Sequence, residues 1–350
     1  MPSKPSHRWA PRTARHGGKL SCLCLAVICC LGALVLPFAR ANDAAEAWQA
    51  SIGRDHPLAG RIWDVAAGAF IERQTLIDRL AGGRFVLLGE RHDNPDHHRL
   101  QTWILQALIA AGRRPAVGFE MFTADDAPAI ARHLAASPTD AGGVARAVDW
   151  QRSGWPDWAM YEPIVAAALQ AGLPIIAANA SPATVRALGQ HGPAALPADL
   201  AARLGIDRPA AAEAQAAMAE DIREVHCGYA SGPRVDAMIL VQRLRDAQMA
   251  ESLTRAGQPD GGVLIAGAGH VRRDYGVPTY LAGHESGSEV ISVAFLEVDQ
   301  HVFEAAAYAT RFRRRTLPFD YVWFTPRADD QDPCTAFREQ LQRLQKPQED

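Results

Sequence analysis

Phe85-Val86-Leu87-Leu88-Gly89-Glu90-Arg91-His92 is the stretch of the sequence that decides the fold. Four apolar residues lead into a glycine, and a carboxylate, a guanidinium and an imidazole follow directly. A short apolar run bounded by glycine predicts a buried strand. Open α/β sheets bind their ligands at the carboxyl ends of such strands, which is where Glu90 and His92 fall.

A second stretch of the same kind, Val263 to His270, occurs later in the chain and also ends in Gly-x-x-His. Between the two, Glu120 lies near the end of another predicted strand, residues 115–121. Predicted strands alternate with segments of helical periodicity, which indicates a mainly parallel sheet flanked by helices. We therefore predict an α/β fold in which Glu90, His92, Glu120 and His270 meet at one edge of the sheet.

The chain from residue 181 to about 255 is rich in alanine and has no predicted strand. Its apolar spacing predicts successive helices, which we interpret as a helical subdomain that covers the strand ends. The predicted organisation is a signal peptide over 1–41, an α/β domain over 42–330 that includes this subdomain, and a polar tail over 331–350.

Residues 1–41 have the pattern of a secretory signal. Basic residues precede an apolar run from Leu20 to Phe38, and Ala39-Arg40-Ala41 offers a small-residue cleavage site. An uncleaved membrane anchor is the alternative, because the run approaches the length that spans a bilayer. Neither Cys29 nor Cys30 follows a small residue. We expect export across the inner membrane to a periplasmic or membrane-associated location, without a clear lipobox for a lipid anchor.

The net charge argues against nucleic-acid binding, and the cysteine content allows one disulfide. Loss of residues 1–41 removes six basic residues and no acidic one, so the formal net charge moves from −3 to −9. Such an acidic chain is a poor binder of nucleic acid. Only Cys227 and Cys334 would remain, and they could pair in an oxidising compartment.

A divalent metal site is one possibility at the strand ends, because neutral imidazoles and carboxylates converging there could supply three or four ligands. The candidates are Glu90, His92, His97, His98, Glu120 and His270. His97 and His98 open a predicted helix, where exposed imidazoles are common, and we expect His97 to be solvated.

Other motifs argue against a dinucleotide site and a serine hydrolase, and leave the roles of Arg272, Gln242 and Asp246 open. The glycines before His270 do not complete a dinucleotide fingerprint, because Arg272 stands where the third glycine would be. Arg272 could instead meet carboxylates of a ligand or lie on a solvated helix face. Gln242 and Asp246 share a helical face and form either a pocket wall or a hydrogen-bond network between elements. The chain has no Gly-x-Ser-x-Gly, so a serine hydrolase has no support.

Two further segments bear on metal or haem chemistry. Trp150, Trp155 and Trp158 are best explained as a hydrophobic corner. Tyr161 follows Trp158 at a helical step, and a phenolate is one of the few side chains that bind ferric haem iron. His226 ends an alanine-rich helix beside Cys227, where it either caps the helix or contacts a metal centre.

With these residues in view, the sequence resembles the ChaN-like haem-binding uptake family, within the superfamily that includes Tiki peptidases, TraB proteins and erythromycin esterases. Seven short segments carry the resemblance, in order, between about residues 85 and 281. They are LLGERHDN (87–94), GFEM (118–121), WPDWAMYEP (155–163), AAN (177–179), HCG (226–228), QRLRDAQMA (242–250) and GAGH (267–270).

The resemblance implies an extracytoplasmic protein of haem or iron uptake. It implies Tyr161 as the axial ligand of haem iron and His226 as a second candidate, with Trp158 and Arg272 also at the cofactor. An outer-membrane haem receptor, a haem transport system and a second copy of the chain are the partners it allows.

The alternative is a Glu/His-dependent hydrolase or peptidase of the same superfamily, with or without a divalent metal. In that case Glu90, His92, Glu120 and His270 would be catalytic. Haem binding is favoured over hydrolysis, because the strand-end residues do not complete a known metal-binding motif.

Overall fold

A computed structural model of the protein describes residues 48–256, 260–284, 289–332, 334, 335, 337, 338 and 342. The predicted signal peptide at 1–41 lies outside the described residues, as does most of the predicted tail. No helix in the described part of the chain is both long enough and apolar enough to cross a membrane.

Strands and helices alternate along the described chain. The strands are β1 (Ile62–Asp64), β2 (Ala69–Ile71), β3 (Phe85–Glu90), β4 (Ala116–Thr123), β5 (Ile175–Asn179), β6 (Gly262–Gly267), β7 (Val290–Glu297) and β8 (Tyr321–Thr325). The α-helices are α1 (Arg73–Gly82), α2 (Pro95–Ala110), α3 (Ala127–Ala136), α4 (Ala141–Ala147), α5 (Trp158–Gln170), α6 (Pro182–His191), α7 (Ala198–Arg203), α8 (Ala212–Val225), α9 (Pro233–Ala256) and α10 (Val277–His284). Short 3-10 helices cover Trp150–Arg152, Pro193–Ala195 and Ala305–Phe312.

The described strands form one eight-stranded sheet in the order β2-β1-β8-β7-β3-β6-β4-β5. Neighbouring strands from β8 to β5 run parallel. Strand β1 runs antiparallel to both β2 and β8. The predicted α/β fold with a mainly parallel central sheet is confirmed.

Both faces of the central strands are buried, which explains their continuous apolar runs. In β3, Val86 and Leu88 pack on one face with helices α1, α2 and α5. Phe85 and Leu87 pack on the other face with α9 and α10. All four side chains are fully buried. The sheet is therefore the middle layer of a three-layer structure.

The order of the strands sets the position of the site. The chain passes from β3 to β4 and β5, returns to β6 between β3 and β4, and then crosses to β7 on the other side of β3. The carboxyl ends of β3, β6 and β4 therefore lie side by side, with Glu90 paired in register with Gly267. Ligands of open α/β sheets bind at such a reversal of strand order.

Helices α6 to α9 form the predicted helical subdomain, without a strand between β5 and β6 in the described residues. Their apolar side chains form separate clusters around Leu188 and Met218. In α9, Met249 and Leu253 pack on the sheet, while Asp246 reaches His270 beyond the end of β6. The prediction of a helical part that covers the strand ends is confirmed.

Candidate functional site

The loops that follow β3 and β6 pack tightly against each other, and Gly89 makes this possible. A β-carbon at Gly89 would lie 2.3 Å from Cγ2 of Val271 and 2.9 Å from Cα of Ala268. The amide of Ala268 also donates to the carbonyl of Glu90 at 2.8 Å. A side chain at Gly89 would therefore force the two site-bearing loops apart.

Glu90, the last residue of β3, is a buried carboxylate with several partners. Its Oε1 accepts from the hydroxyl of Tyr161 at 2.8 Å and lies 2.9 Å from Nδ1 of His92. Its Oε2 is 3.1 Å from Nδ1 of His98. This contact is not aligned as a hydrogen bond.

The charges around Glu90 favour its ionised form. Burial would raise the pKa of Glu90, but His98 and His92 outweigh burial and hold it well below its usual range. Burial would lower the pKa of both imidazoles, and Glu90 raises them instead. Glu90 is thus an ionised carboxylate held between two imidazoles whose pKa values it raises.

A second acid–base cluster lies at the ends of β4 and β6. Nε2 of His270 is 3.1 Å from Oε1 of Glu120, and its Nδ1 is 2.5 Å from Oδ1 of Asp246 on α9. The other oxygen of Glu120 accepts from the amide of Gly267 at 2.7 Å. His270 is therefore held between carboxylates from two different elements.

This arrangement fixes the charge of His270. Burial would lower the pKa of His270, but Glu120 and Asp246 raise it to about 10. Burial would raise the pKa of Glu120, and His270 lowers it to about 2. At neutral pH the pair is a buried imidazolium and carboxylate.

The charge of His270 predicts how stability depends on pH. Because its folded pKa of about 10 lies above its ordinary 6.5, its contribution is complete below pH 6.5 and is lost as the pH rises towards 10. Burial raises the pKa of Asp246 from 3.8 to about 6. Protonated Asp246 therefore stabilises the folded protein at low pH, and this stabilisation is lost as the pH rises through 6. We expect the free energy of unfolding to fall by about 3 kcal/mol between about pH 6.5 and 9. Urea denaturation at several pH values measures this slope.

His270→Gln is the matched variant for that measurement. It keeps a polar side chain of similar length and cannot carry the charge, so most of the alkaline slope should disappear. An equal slope in the wild type and His270→Gln would contradict the assignment of the imidazolium.

The two clusters meet above Gly267. A β-carbon at Gly267 would lie 3.0 Å from Nε2 of His92 and 3.6 Å from Oε2 of Glu120. The structure thus brings together Glu90, His92, Glu120 and His270. The side chain of His92 is 35% exposed, whereas that of Glu90 is fully buried. His92 is the group of this set that faces solvent, with Trp155 edge-on to its ring at 4.9 Å.

His97 and His98 are not on a solvated helix surface. His97 is fully buried, accepts from the amide of Arg91 at 2.8 Å and lies 2.8 Å from the hydroxyl of Thr325. Burial lowers its pKa to about 3. The expectation of a solvated His97 was wrong, because the first turn of α2 lies under the loop after β3 rather than at the surface.

Tyr161 lies inside the protein rather than at its surface. Helix α5 begins at Trp158, and Tyr161 is fully buried with its hydroxyl donating to Glu90. Burial raises the pKa of the phenol, and the neighbouring Glu90 raises it further. A phenolate is disfavoured there, which argues against Tyr161 as an iron ligand. Trp158 packs edge-on to Trp150 at 4.9 Å, as expected for a hydrophobic corner.

Arg272 has neither of the roles expected for it. It is 2% exposed and binds Asp274 through two hydrogen bonds of 2.8 and 2.9 Å. Its guanidinium also pairs with Asp221 of α8 and lies over the ring of Tyr275 at 4.3 Å. Arg272 is thus neither solvated nor free to meet a ligand, and instead joins α8 to the loop after β6.

His226 follows the last residue of α8 and is half-buried. Its Nδ1 lies 2.7 Å from the carbonyl oxygen of Ile222. A carbonyl only accepts, so Nδ1 carries the hydrogen and the neutral ring has its lone pair on Nε2. Among the described residues, Nε2 has no hydrogen-bond partner. The ring of Phe337 lies edge-on at 5.7 Å.

Cys227 and Cys334 form a disulfide, with their Cα atoms 5.5 Å apart. The sequence left this pairing open. The bond connects the end of α8 to the C-terminal segment, across 107 residues of sequence.

No group of three or more His, Cys, Asp or Glu side chains is arranged to hold a metal ion in the described ranges. The divalent-metal form of the hydrolase alternative therefore has no support.

Comparison with known proteins identifies the family of the chain. The family described as haem-binding uptake, Tiki superfamily, ChaN matches residues 76–281, which is more than half of the chain. The chain belongs to this family. The predicted resemblance to ChaN-like proteins is confirmed. No curated protein sequence matches the chain.

Two solved structures are similar to this ChaN-family chain. One is described as cofacial haem binding to ChaN of Campylobacter jejuni, with a TM-score of 0.59 and 19% sequence identity, covering 75% of this chain and 95% of that one. This similarity shows the fold. The other is the type III effector HopBA1, with a TM-score of 0.38 and 13% identity, covering 72% of this chain and 92% of that one. Its TM-score is too low to support an argument.

Proposed function

We propose that this protein binds haem outside the cytoplasm, with His226 at the end of α8 as the axial ligand of the iron. Membership of the haem-binding uptake family supports haem as the ligand. The similar fold of ChaN from Campylobacter jejuni, which binds haem cofacially, agrees with it.

The surroundings of His226 carry this proposal. Haem needs a donor atom for iron and an apolar surface for its macrocycle. The lone pair on Nε2 of His226 supplies the donor. Of the three large apolar side chains that are exposed in the described residues, Val225 at 66% and Tyr229 at 52% flank His226. Exposed apolar side chains this close in sequence to one imidazole support a binding surface there.

Tyr161 does not meet the same requirements. Its hydroxyl is buried and donates to Glu90, so iron could reach it only after that network opened. The sequence resemblance favoured Tyr161 over His226. The burial of Tyr161 and the Nε2 of His226, which has no hydrogen-bond partner among the described residues, support the opposite order.

The disulfide between Cys227 and Cys334 supports an extracytoplasmic location, because disulfides persist in oxidising compartments. The signal-like pattern of residues 1–41 agrees with export. Transfer from an outer-membrane haem receptor or to a haem transport system, and pairing of two copies, belong to the same proposal and rest on the family alone.

Titration of the protein lacking residues 1–41 with ferric haem tests the proposal. We expect a shifted Soret band that saturates at one haem per chain at micromolar concentration. Tyr229→Ala should weaken binding, whereas Phe303→Ala, at an exposed aromatic residue distant from His226 in sequence, should not. Absence of any Soret shift at micromolar haem would contradict haem binding.

Hydrolysis at the strand ends is the second candidate, favoured by the pairing of Glu90 with His92. Nδ1 of His92 faces Glu90, which leaves Nε2 towards solvent and Gly267, as a general base requires. The amides of Gly267 and Ala268 already donate to Glu120 and to the Glu90 carbonyl, so they do not form an oxyanion hole. We therefore favour binding over hydrolysis.

Chromogenic ester and peptide substrates test this second candidate. His92→Gln keeps a polar side chain beside Glu90 and removes the base, so any activity that belongs to this site should vanish in that variant. Activity that persists in His92→Gln would come from elsewhere.

A further inference from the structure

The Cys227–Cys334 disulfide places an aromatic ring beside the proposed haem ligand. Cys227 directly follows His226, and Cys334 lies three positions before Phe337. The ring of Phe337 lies 5.7 Å from that of His226 and 6.0 Å from that of Tyr229. One covalent bond therefore connects the ligand-bearing end of α8 to the segment that supplies an apolar wall next to it.

The position of that segment depends on the disulfide. Asp329 is anchored to the body of the protein by Arg91 at 2.6 Å. Beyond it, the described residues contact the rest of the chain through the disulfide and the two ring contacts of Phe337, and they make no hydrogen bond or ion pair to the described body of the protein. Asp332 accepts hydrogen bonds from Cys334 and Thr335, both within the same segment. Without the disulfide, the two ring contacts of Phe337 would remain among the described residues.

The bond is also placed where a reductant can reach it. Cys227 and Cys334 are half-buried, and their neighbours Gly228 and Asp332 are exposed. A dithiol protein can attack such a bond by thiol–disulfide exchange. The S–S bond breaks, two thiols form at Cys227 and Cys334 with two electrons and two protons from the dithiol, and the dithiol becomes a disulfide.

We propose that this disulfide is a redox control on the haem site, so that reduction by a dithiol protein releases haem. The inference rests on the proposed function, because it assigns regulation to the same site. In the oxidised protein the ring of Phe337 is held edge-on beside one side of His226. After reduction Phe337 is no longer held there by the disulfide, and the apolar surface that favours a macrocycle is reduced.

Haem affinity of the oxidised wild type and of Cys227→Ser/Cys334→Ser, both measured without reductant, tests the control. Omitting reductant keeps the iron ferric, so only the protein differs. We expect the double variant to bind ferric haem at least about tenfold more weakly, with Phe337→Ala weakened while its disulfide is intact. Phe303→Ala is the matched aromatic control and should bind as the wild type does. Equal or tighter binding by the double variant would overturn the proposal.

Limited trypsin digestion gives a readout that does not involve haem. Arg338 follows Phe337 and is exposed, so release of the segment should speed cleavage there in the double variant. Unchanged cleavage would overturn the release of the segment even if haem binding changed. If the oxidised wild type failed to bind haem, the proposed function would fail, and control of haem binding would fail with it. Faster cleavage with unchanged affinity would overturn the redox control alone.

Discussion

His226→Ala is expected to weaken ferric haem binding by about a hundredfold or more, the largest effect that we predict on function. Removal of the proposed axial donor takes away the bond to iron and leaves only the apolar surface near it, to which the exposed Val225 and Tyr229 would contribute. A hundredfold change corresponds to about 2.7 kcal/mol of binding free energy. Titration followed by the Soret band measures it, and the remaining spectrum should be that of haem without a protein donor.

Tyr161→Phe is the matched variant. It removes the hydrogen bond to Glu90, which should cost about 1.5–3 kcal/mol of stability because the acceptor is ionised. Haem affinity of the folded protein should stay within about threefold of the wild type, well under 1 kcal/mol. If folded Tyr161→Phe lost haem and His226→Ala kept it, the ligand assignment would be contradicted.

Glu120→Ala is expected to lower the free energy of unfolding by about 3–5 kcal/mol, the largest effect on stability. The variant leaves a buried imidazolium at His270 with Asp246 as its remaining charge partner. It also leaves the amide of Gly267 without its acceptor in a buried position. Urea denaturation at pH 7 measures the loss.

Two variants serve as controls for Glu120→Ala. Glu120→Gln keeps an acceptor for Gly267 but loses the charge, so its loss should be smaller. Glu220→Ala removes a carboxylate from the exposed surface of α8 and should change stability by less than about 0.5 kcal/mol. A loss below 1 kcal/mol in Glu120→Ala would show that the buried ion pair contributes little.

The fold was predictable where a pattern of neighbouring residues determines the secondary structure. The apolar run from Phe85 ends at a glycine, and the same pattern recurs at Val263, so both site-bearing strands and their polar ends were predicted from sequence. The alanine-rich stretch at 181–255 predicted helices because its periodicity is local as well. The convergence of Glu90 with His270 followed from one rule, that parallel strands end at the same edge of the sheet.

The rest depends on contacts between residues far apart in sequence. His97 was expected to be solvated and Tyr161 to ligate iron, because a helix start and an aromatic cluster do not reveal which face meets the sheet. Arg272 was expected at a ligand or in solvent, because nothing near it in sequence indicates Asp221 as its partner. Phe337 and Tyr229 were missed beside His226, although the Tyr that follows His-Cys-Gly could have indicated an aromatic neighbour.

Resonance Raman spectroscopy of the ferric haem complex tests the central claim most directly, because it separates imidazole from phenolate ligation. The complex of the wild type should lack the ring modes of an iron-bound tyrosinate, and its ligand signature should disappear in His226→Ala. Tyrosinate modes in the wild type that vanish in Tyr161→Phe would contradict His226 as the ligand.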